Sequence, residues 1–187
     1  MYRKIDLRQG SEAWYEWRNQ GIGASDAPVI MGETKYGTRS ELLAEKLTGV
    51  RSPPNEMMIR GTKLEPEARK LYIQTTGTSV RPVCLESTNT SWLRASIDGL
   101  SDDGRTVVEI KCGKGTYFQS LKIYDCPDHY FGQLQHILAV TGLSEIDFWC
   151  YLPEREPIHL CIERDDGYID ALLKAEQKFW RELQKSK

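Results

Sequence analysis

The stretch that decides the fold runs from Trp92 to Cys112, WLRASIDGLSDDGRTVVEIKC. It reads as two strands joined by a hairpin. The first strand spans Trp92 to Leu100, with Asp98 near its end. Ser101-Asp102-Asp103-Gly104 is a polar turn, with glycine where a positive φ is often needed. The second strand spans Thr106 to Lys111 and is rich in β-branched residues. Side chains alternate along a strand, so Glu109 and Lys111 face one way and Ile110 the other. Ile110 and Val108 suit a core. Two opposite charges then share one face, beside an aspartate from the neighbouring strand. Two hard carboxylates converging there make a site for Mg²⁺ or Mn²⁺. A lysine beside them can orient the attacking water or help to deprotonate it. An isolated Glu-x-Lys is more often a surface ion pair of small energetic consequence. Asp98, the hairpin spacing and the apolar alternation weigh towards a site.

N-terminal to the hairpin, Ser11 to Asn19 reads as a helix capped by Ser11, carrying Trp14, Tyr15 and Trp17. After Arg18 comes Gly21-Ile22-Gly23-Ala24-Ser25-Asp26, a glycine-rich turn that enters a short apolar helix, Ala27 to Met31. Backbone N–H groups at such a start, with a serine hydroxyl and a nearby arginine, suit a phosphate. A plain Ser or Asp N-cap explains the same residues on this segment alone. Thr38 to Leu47 is a second helix, ended by Gly49. Met57 to Thr76 has helical periodicity but contains Gly61 and Pro66, which predicts a kink near Glu65 or a restart at Pro66. Glu65 lies at the edge of that helix's apolar stripe, where it can lean into a site or pair with Arg69 four residues on. Ser79 to Glu86 is a strand.

C-terminal to the hairpin, Thr116 to Leu121 reads as a short helix flanked by Lys114 and Lys122, both read as solvated, with phosphate contact the lesser reading. Asp128 to Val140 is an amphipathic helix with Tyr130, Leu134, Ile137, Leu138 and Thr141 on one face. The helical wheel puts Gln133 inside that buried face and Gln135 on the far side. A buried glutamine must find partners, so Gln133 is the informative one. His136 reads as structural. Ile146 to Leu152 and Pro157 to Glu163 are strands, and a last helix runs from Asp165 or Asp166 to about Gln184.

The 187 residues, 40% hydrophobic and 28% charged, suit one domain, residues 1–187, with a core at about 57–163 and helices appended at both ends. No run approaches a membrane span, and MYRKIDLRQG lacks the apolar centre of a signal peptide. Cysteines at 84, 112, 126, 150 and 161 form no C-x-x-C pair and read as reduced, cytosolic thiols. With a net charge of −2, contact with nucleic acid calls for a local basic patch or a ring of subunits.

The order helix, strand, strand, strand, helix, strand, with Asp and Glu-x-Lys, resembles the PD-(D/E)XK nuclease superfamily, and within it the phage-lambda-type, YqaJ-like alkaline exonucleases. Four blocks carry the resemblance: Arg18 with Gly21 to Asp26, Gly61 to Arg69, Ala95 to Leu100 with Val108 to Cys112, and Tyr130 to Gln135. Ile97 stands where the motif has proline. The resemblance implies an α/β fold with a mixed central sheet flanked by helices, a restriction-endonuclease-like core. It implies Asp98, Glu109 and the Ile110 carbonyl as metal ligands, Lys111 on the nucleophilic water, and Glu65 as an outer acidic helper. Gln133 would orient Lys111 or the water. Arg18, Ser25 and Ser96 would hold the 5′-phosphate. The implied activity is Mg²⁺-dependent 5′→3′ digestion of one strand of linear duplex DNA to mononucleotides, with Mn²⁺ as a substitute. It leaves 3′ single-stranded overhangs for phage-type recombination. The implied partners are two further copies in a ring and a single-strand annealing protein, in a bacterial cytoplasm under phage or prophage coding. The rivals are an endonuclease or Holliday-junction resolvase of the same superfamily, and a non-catalytic module that binds DNA ends.

Overall fold

The computed structural model describes residues 1–50 and 52–187. Strand β1 (Tyr2–Ile5) is followed by helices α1 (Glu12–Asn19), α2 (Ala27–Met31), α3 (Arg39–Thr48) and α4 (Glu56–Thr76). Strands β2 (Val80–Ser87), β3 (Arg94–Ser101) and β4 (Val107–Lys111) come next, then α5 (Lys114–Ile123), α6 (Asp128–Thr141), β5 (Glu145–Cys150), β6 (Ile158–Glu163) and α7 (Asp166–Lys185). The six strands lie in one sheet in sequence order. Every neighbouring pair is antiparallel except β4 and β5, which run parallel, so α5 and α6 form the crossover between them. Among the described residues no helix is long and apolar enough to cross a membrane.

Both faces of the sheet are covered. On one face α6 buries Leu134, Ile137 and Leu138 with Ala95, Ile97, Val107 and Phe148. On the other, α4 sets Ala68 and Tyr72 among Val108, Ile110 and Trp149. Full burial of a side chain of this size contributes about 1.5–3 kcal/mol. The alternation read in the second hairpin strand therefore has a cause on each side: Val108 and Ile110 go under α4, and Glu109 turns to the α6 side.

The structure departs from the sequence reading at β1 and in the glutamines of α6, and in α4 it removes one of two alternatives. Strand β1 lies outside the core expected at 57–163. Its four residues carry Arg3 and Lys4, so it shows no apolar run and is held by pairing Tyr2–Ile5 against Ser87–Cys84. Helix α4 runs through Pro66 without restarting. Asn55 caps its start, Gly77 ends it, and the Ala68 and Tyr72 contacts with the sheet offset the hydrogen bond that proline cannot make. The glutamines of α6 exchange places: Gln135 is fully buried and Gln133 half-buried. The wheel assumed one buried face, but α2 and α7 cover the outer side of α6 as well. Gln135 there donates to the Glu163 carbonyl and accepts from Asp165 N–H.

Candidate active site

The site begins where β3 and β4 part. Their paired residues are Leu100 with Val107 and Gly99 with Val108. Beyond that pair the Ile110 N–H, 2.8 Å from Asp98 Oδ2, donates to a carboxylate instead of a strand carbonyl. The Asp98 carbonyl accepts from Arg69 Nε of α4 at 2.6 Å. Two local features open this fork. Arg81 pairs with Leu100 and Val83 with Ile97, so Asp98 and Gly99 together stand opposite Pro82 alone, a β-bulge facing a residue with no N–H to give. At Gly99 a Cβ would come 2.6 Å from Val108 Cγ1 and 2.8 Å from Val80 Cγ2, so only glycine allows the strands this close.

Around the fork the carboxylates gather. Glu109 is buried, with Oε1 2.6 Å from Lys111 Nζ and 2.5 Å from Gln133 Nε2. Gln133 Oε1 in turn accepts from Lys111 Nζ at 3.2 Å. Glu65 is ion-paired with Arg69 and half-buried. Burial, then the charges of Glu109 and Glu65, hold the Asp98 carboxyl well above the usual carboxylate range. Burial likewise raises Glu65, with Glu109 adding and Arg69 opposing. For Lys111 burial opposes the charge, but Glu109, Tyr130 and Asp98 outweigh it and keep the ammonium above the ordinary lysine range. Its Nζ also lies 4.7 Å from the centroid of the Tyr130 ring.

These residues fit a hard divalent cation. Glu109 Oε2 is buried with no hydrogen-bond partner, an acceptor left for a cation. The carboxylates that raise Asp98 are an excess of negative charge that one cation would relieve. Among the described residues no group of three His, Cys, Asp or Glu side chains meets at a metal-binding spacing. A cation here would therefore rest on Asp98 and Glu109 with backbone and solvent oxygens, of which the Ile110 carbonyl is the expected one. The Ile110 side chain itself is buried under α4.

A cleft of about 640 Å³ runs from this fork past Ser96 to α1 and the glycine turn. The turn is stitched beside the start of β3: Ile22 N–H donates to the Trp92 carbonyl at 2.7 Å, and Arg94 N–H to the Ile22 carbonyl at 2.9 Å. A Cβ at Gly21 would meet the Trp92 carbonyl at 2.7 Å. Arg18 donates to Ser25 Oγ, and its guanidinium lies 5.2 Å from the centroid of Trp14. Arg18 is thus braced on a tryptophan and bonded to a serine at the edge of the cleft. Ser96 Oγ accepts from Trp14 Nε1 at 2.7 Å. Asp26 lies 3.6 Å from Arg18, but Lys46 Nζ sits nearer, 2.8 Å from its Oδ2. Lys46 is therefore the nearer partner of the aspartate and Arg18 the second. Lys114 and Lys122 are exposed on α5.

Asp98, Glu109, Lys111, Glu65 and Gln133 thus meet at the fork, and Arg18, Ser25 and Ser96 line the same cleft. The sequence reading did not single out Lys46, or Arg69 as more than a pairing partner. Lys46 sits in a helix of ordinary amphipathic pattern and shows its role only through contact with Asp26. Arg69 had one signal, its place four residues after Glu65.

The fold matches solved nucleases. An alkaline exonuclease from Laribacter hongkongensis, also solved in complex with dAMP, superposes with a TM-score of 0.81 at 31% identity and 94% coverage of each chain. A phage related exonuclease from Haemophilus somnus 129PT shares the fold, with a TM-score of 0.66 at 18% identity over 89% of this chain and 96% of that one. The mixed sheet flanked by helices is thus the fold of the lambda-type alkaline exonucleases. The family model of the YqaJ-like viral recombinase domain matches residues 13–144, and the chain belongs to that family. The uncharacterized protein YqaJ of Bacillus subtilis (strain 168) is 29% identical over 178 residues, 91% of this chain and 56% of that protein. The chain therefore spans little more than half the length of this relative.

Proposed function

We propose that the protein is a Mg²⁺-dependent 5′→3′ exonuclease that digests one strand of linear duplex DNA to mononucleotides, leaving 3′ overhangs for recombination. The observation that carries this reading is the fork: Asp98 and the unpartnered Glu109 Oε2 beside Lys111, opening into a cleft with Arg18, Ser25 and Ser96. Family membership and a relative crystallised with a mononucleotide support it. Asp98, Glu109 and the Ile110 carbonyl would hold the cation, which when bound supplies Lewis-acid polarisation and a more acidic attacking water. Lys111 stays protonated, so it acts as a donor: it orients the water and meets charge developing on the phosphate. Gln133 ties Lys111 to Glu109 and fixes both. Glu65, held by Arg69, stands behind the carboxylates and shapes their field. Arg18 offers a forked donor to the terminal 5′-phosphate, with Ser25 and Ser96 adding hydroxyls. A near-neutral chain that stays on DNA for many cycles needs enclosure, which a closed ring of three copies supplies. A single-strand annealing protein would take up the overhang.

End-labelled linear duplex beside a closed circle, with and without Mg²⁺, tests the reading. The expected outcome is mononucleotides from linear DNA only, faster from a 5′-phosphorylated end than from a 5′-hydroxyl one. A closed circle cut at the same rate would make it an endonuclease. Light scattering on the same sample reads the ring, and a stable monomer removes it.

A further inference from the structure

Four arginines line the cleft: Arg8, Arg18, Arg69 and Arg94. Three are engaged. Arg18 reaches Ser25 and Asp26, and Arg69 reaches Glu65 and the Asp98 carbonyl. Arg94 reaches Glu86 and the carbonyls of Trp17 and Ser91. The side chain of Arg8 has no hydrogen bond, ion pair or aromatic partner among the described residues, and it is exposed.

The backbone that carries it is the opposite of loose. The Leu7 carbonyl accepts from Cys84 Sγ at 3.7 Å, and the Arg8 carbonyl from Ser11 N–H at 3.1 Å. Gln9 Nε2 donates to the Ile97 carbonyl at 3.1 Å, between Ser96 and Asp98. The loop from β1 to α1 is therefore pinned to β2, to the start of α1, and to the strand that bears both the phosphate serine and the expected metal ligand. A fixed loop that presents an unpaired guanidinium into a cleft is preorganised for an anion, because little backbone order remains to be lost on binding. The terminal phosphate already has Arg18, Ser25 and Ser96.

We propose that Arg8 is a second DNA-phosphate contact, taking a backbone phosphate of the bound strand other than the terminal one. It rests on the nuclease reading of the cleft. Its role is to hold the strand in the groove, without touching the reacting atoms.

The test is steady-state digestion of a 5′-phosphorylated linear duplex across a KCl series, for wild type, Arg8→Gln and Arg8→Lys. Losing one phosphate contact should make the slope of log KM against log salt shallower by about 0.9. Arg8→Gln should accordingly raise KM at low salt while kcat and the preference for a 5′-phosphate persist. Arg8→Lys should restore the slope, because the charge is what the phosphate reads. An unchanged slope in Arg8→Gln overturns the proposal. So does a lysine variant as shallow as the glutamine one, or a glutamine variant that has lost the 5′-phosphate preference. A wild-type protein that does not degrade linear duplex in Mg²⁺ overturns the nuclease reading itself, and the assignment of Arg8 falls with it.

Discussion

Glu109 and Lys111 lie two residues apart and, in the proposed reaction, divide the chemistry between them. Glu109 has one oxygen bonded to Lys111 and Gln133 and the other bare, so its neutral amide should lose the cation while keeping the fold. Asp98→Asn and Glu109→Gln should abolish both cleavage and the calorimetric heat of Mg²⁺ binding. Lys111→Ala should separate the two readouts: turnover falls by about 10²–10³-fold, the cost of one donor at developing charge, while Mg²⁺ still binds. Loss of the Mg²⁺ heat in Lys111→Ala would give the lysine a structural role. Retained activity in either carboxylate variant would remove the site.

At the scale of elements, α3 reaches through Lys46 to the end of the cleft proposed to hold the 5′-phosphate. Its buried ammonium bridges Asp26 and the Gly21 carbonyl, each at 2.8 Å, so it ties the glycine turn to the helix behind it. Burial pushes the Asp26 carboxyl up, but Lys46 and Arg18 together hold it below its ordinary value. A group with a depressed folded pKa contributes stability above its ordinary pKa, and loses it as pH falls through the folded value. Lys46→Met should leave a buried carboxylate short of its main partner and cost about 3–5 kcal/mol, read by denaturant unfolding at neutral pH. It should also turn Asp26 fully onto Arg18 and weaken the preference for a 5′-phosphate. A melt unchanged from wild type would mean that water reaches Asp26. The elements themselves were largely legible in sequence, because helix ends such as Ser11 and Gly49 and the two apolar periods are local signals. What stayed hidden depends on neighbours. No periodicity marks a charged edge strand such as β1. The wheel of α6 could not show that the backbone from the end of β6 to the start of α7 would supply the partners of Gln135. The bulge at Asp98–Gly99 appears only once Pro82 stands opposite. The candidate catalytic residues were legible as types in order, and so was the pairing of Glu65 with Arg69; the bond from Arg69 to the Asp98 carbonyl and the one from Lys46 to Asp26 were not.

Helix α7 packs on α6 through Glu176, which is fully buried against His136 at 2.6 Å. The other imidazole nitrogen meets the Arg94 carbonyl at 2.8 Å, so the pair joins α7, α6 and β3. Burial opposes the imidazolium, but Glu176 and the Arg94 carbonyl outweigh it and raise His136 above its ordinary value of 6.5. A raised folded pKa contributes stability that is complete below the ordinary value and is lost as pH climbs through the raised one. Global stability should therefore decline as pH rises from about 6.5, the ordinary histidine value, through the raised one, and His136→Gln should flatten that decline in urea melts taken across pH. A wild-type profile with no such fall would mean that His136 gains no proton affinity on folding. The chain's opposite end raises a matter of timing. β1 is made before β2, and its partner there follows roughly eighty residues later, about 4–16 s of synthesis at 5–20 residues per second. For that interval a bare ribbon is open to any other nascent chain. Arg3 and Lys4 make it a poor template for such pairing. When β2 arrives Arg3 closes on Glu86 at 2.5 Å, so the charge that guarded the ribbon becomes the clasp that seats it.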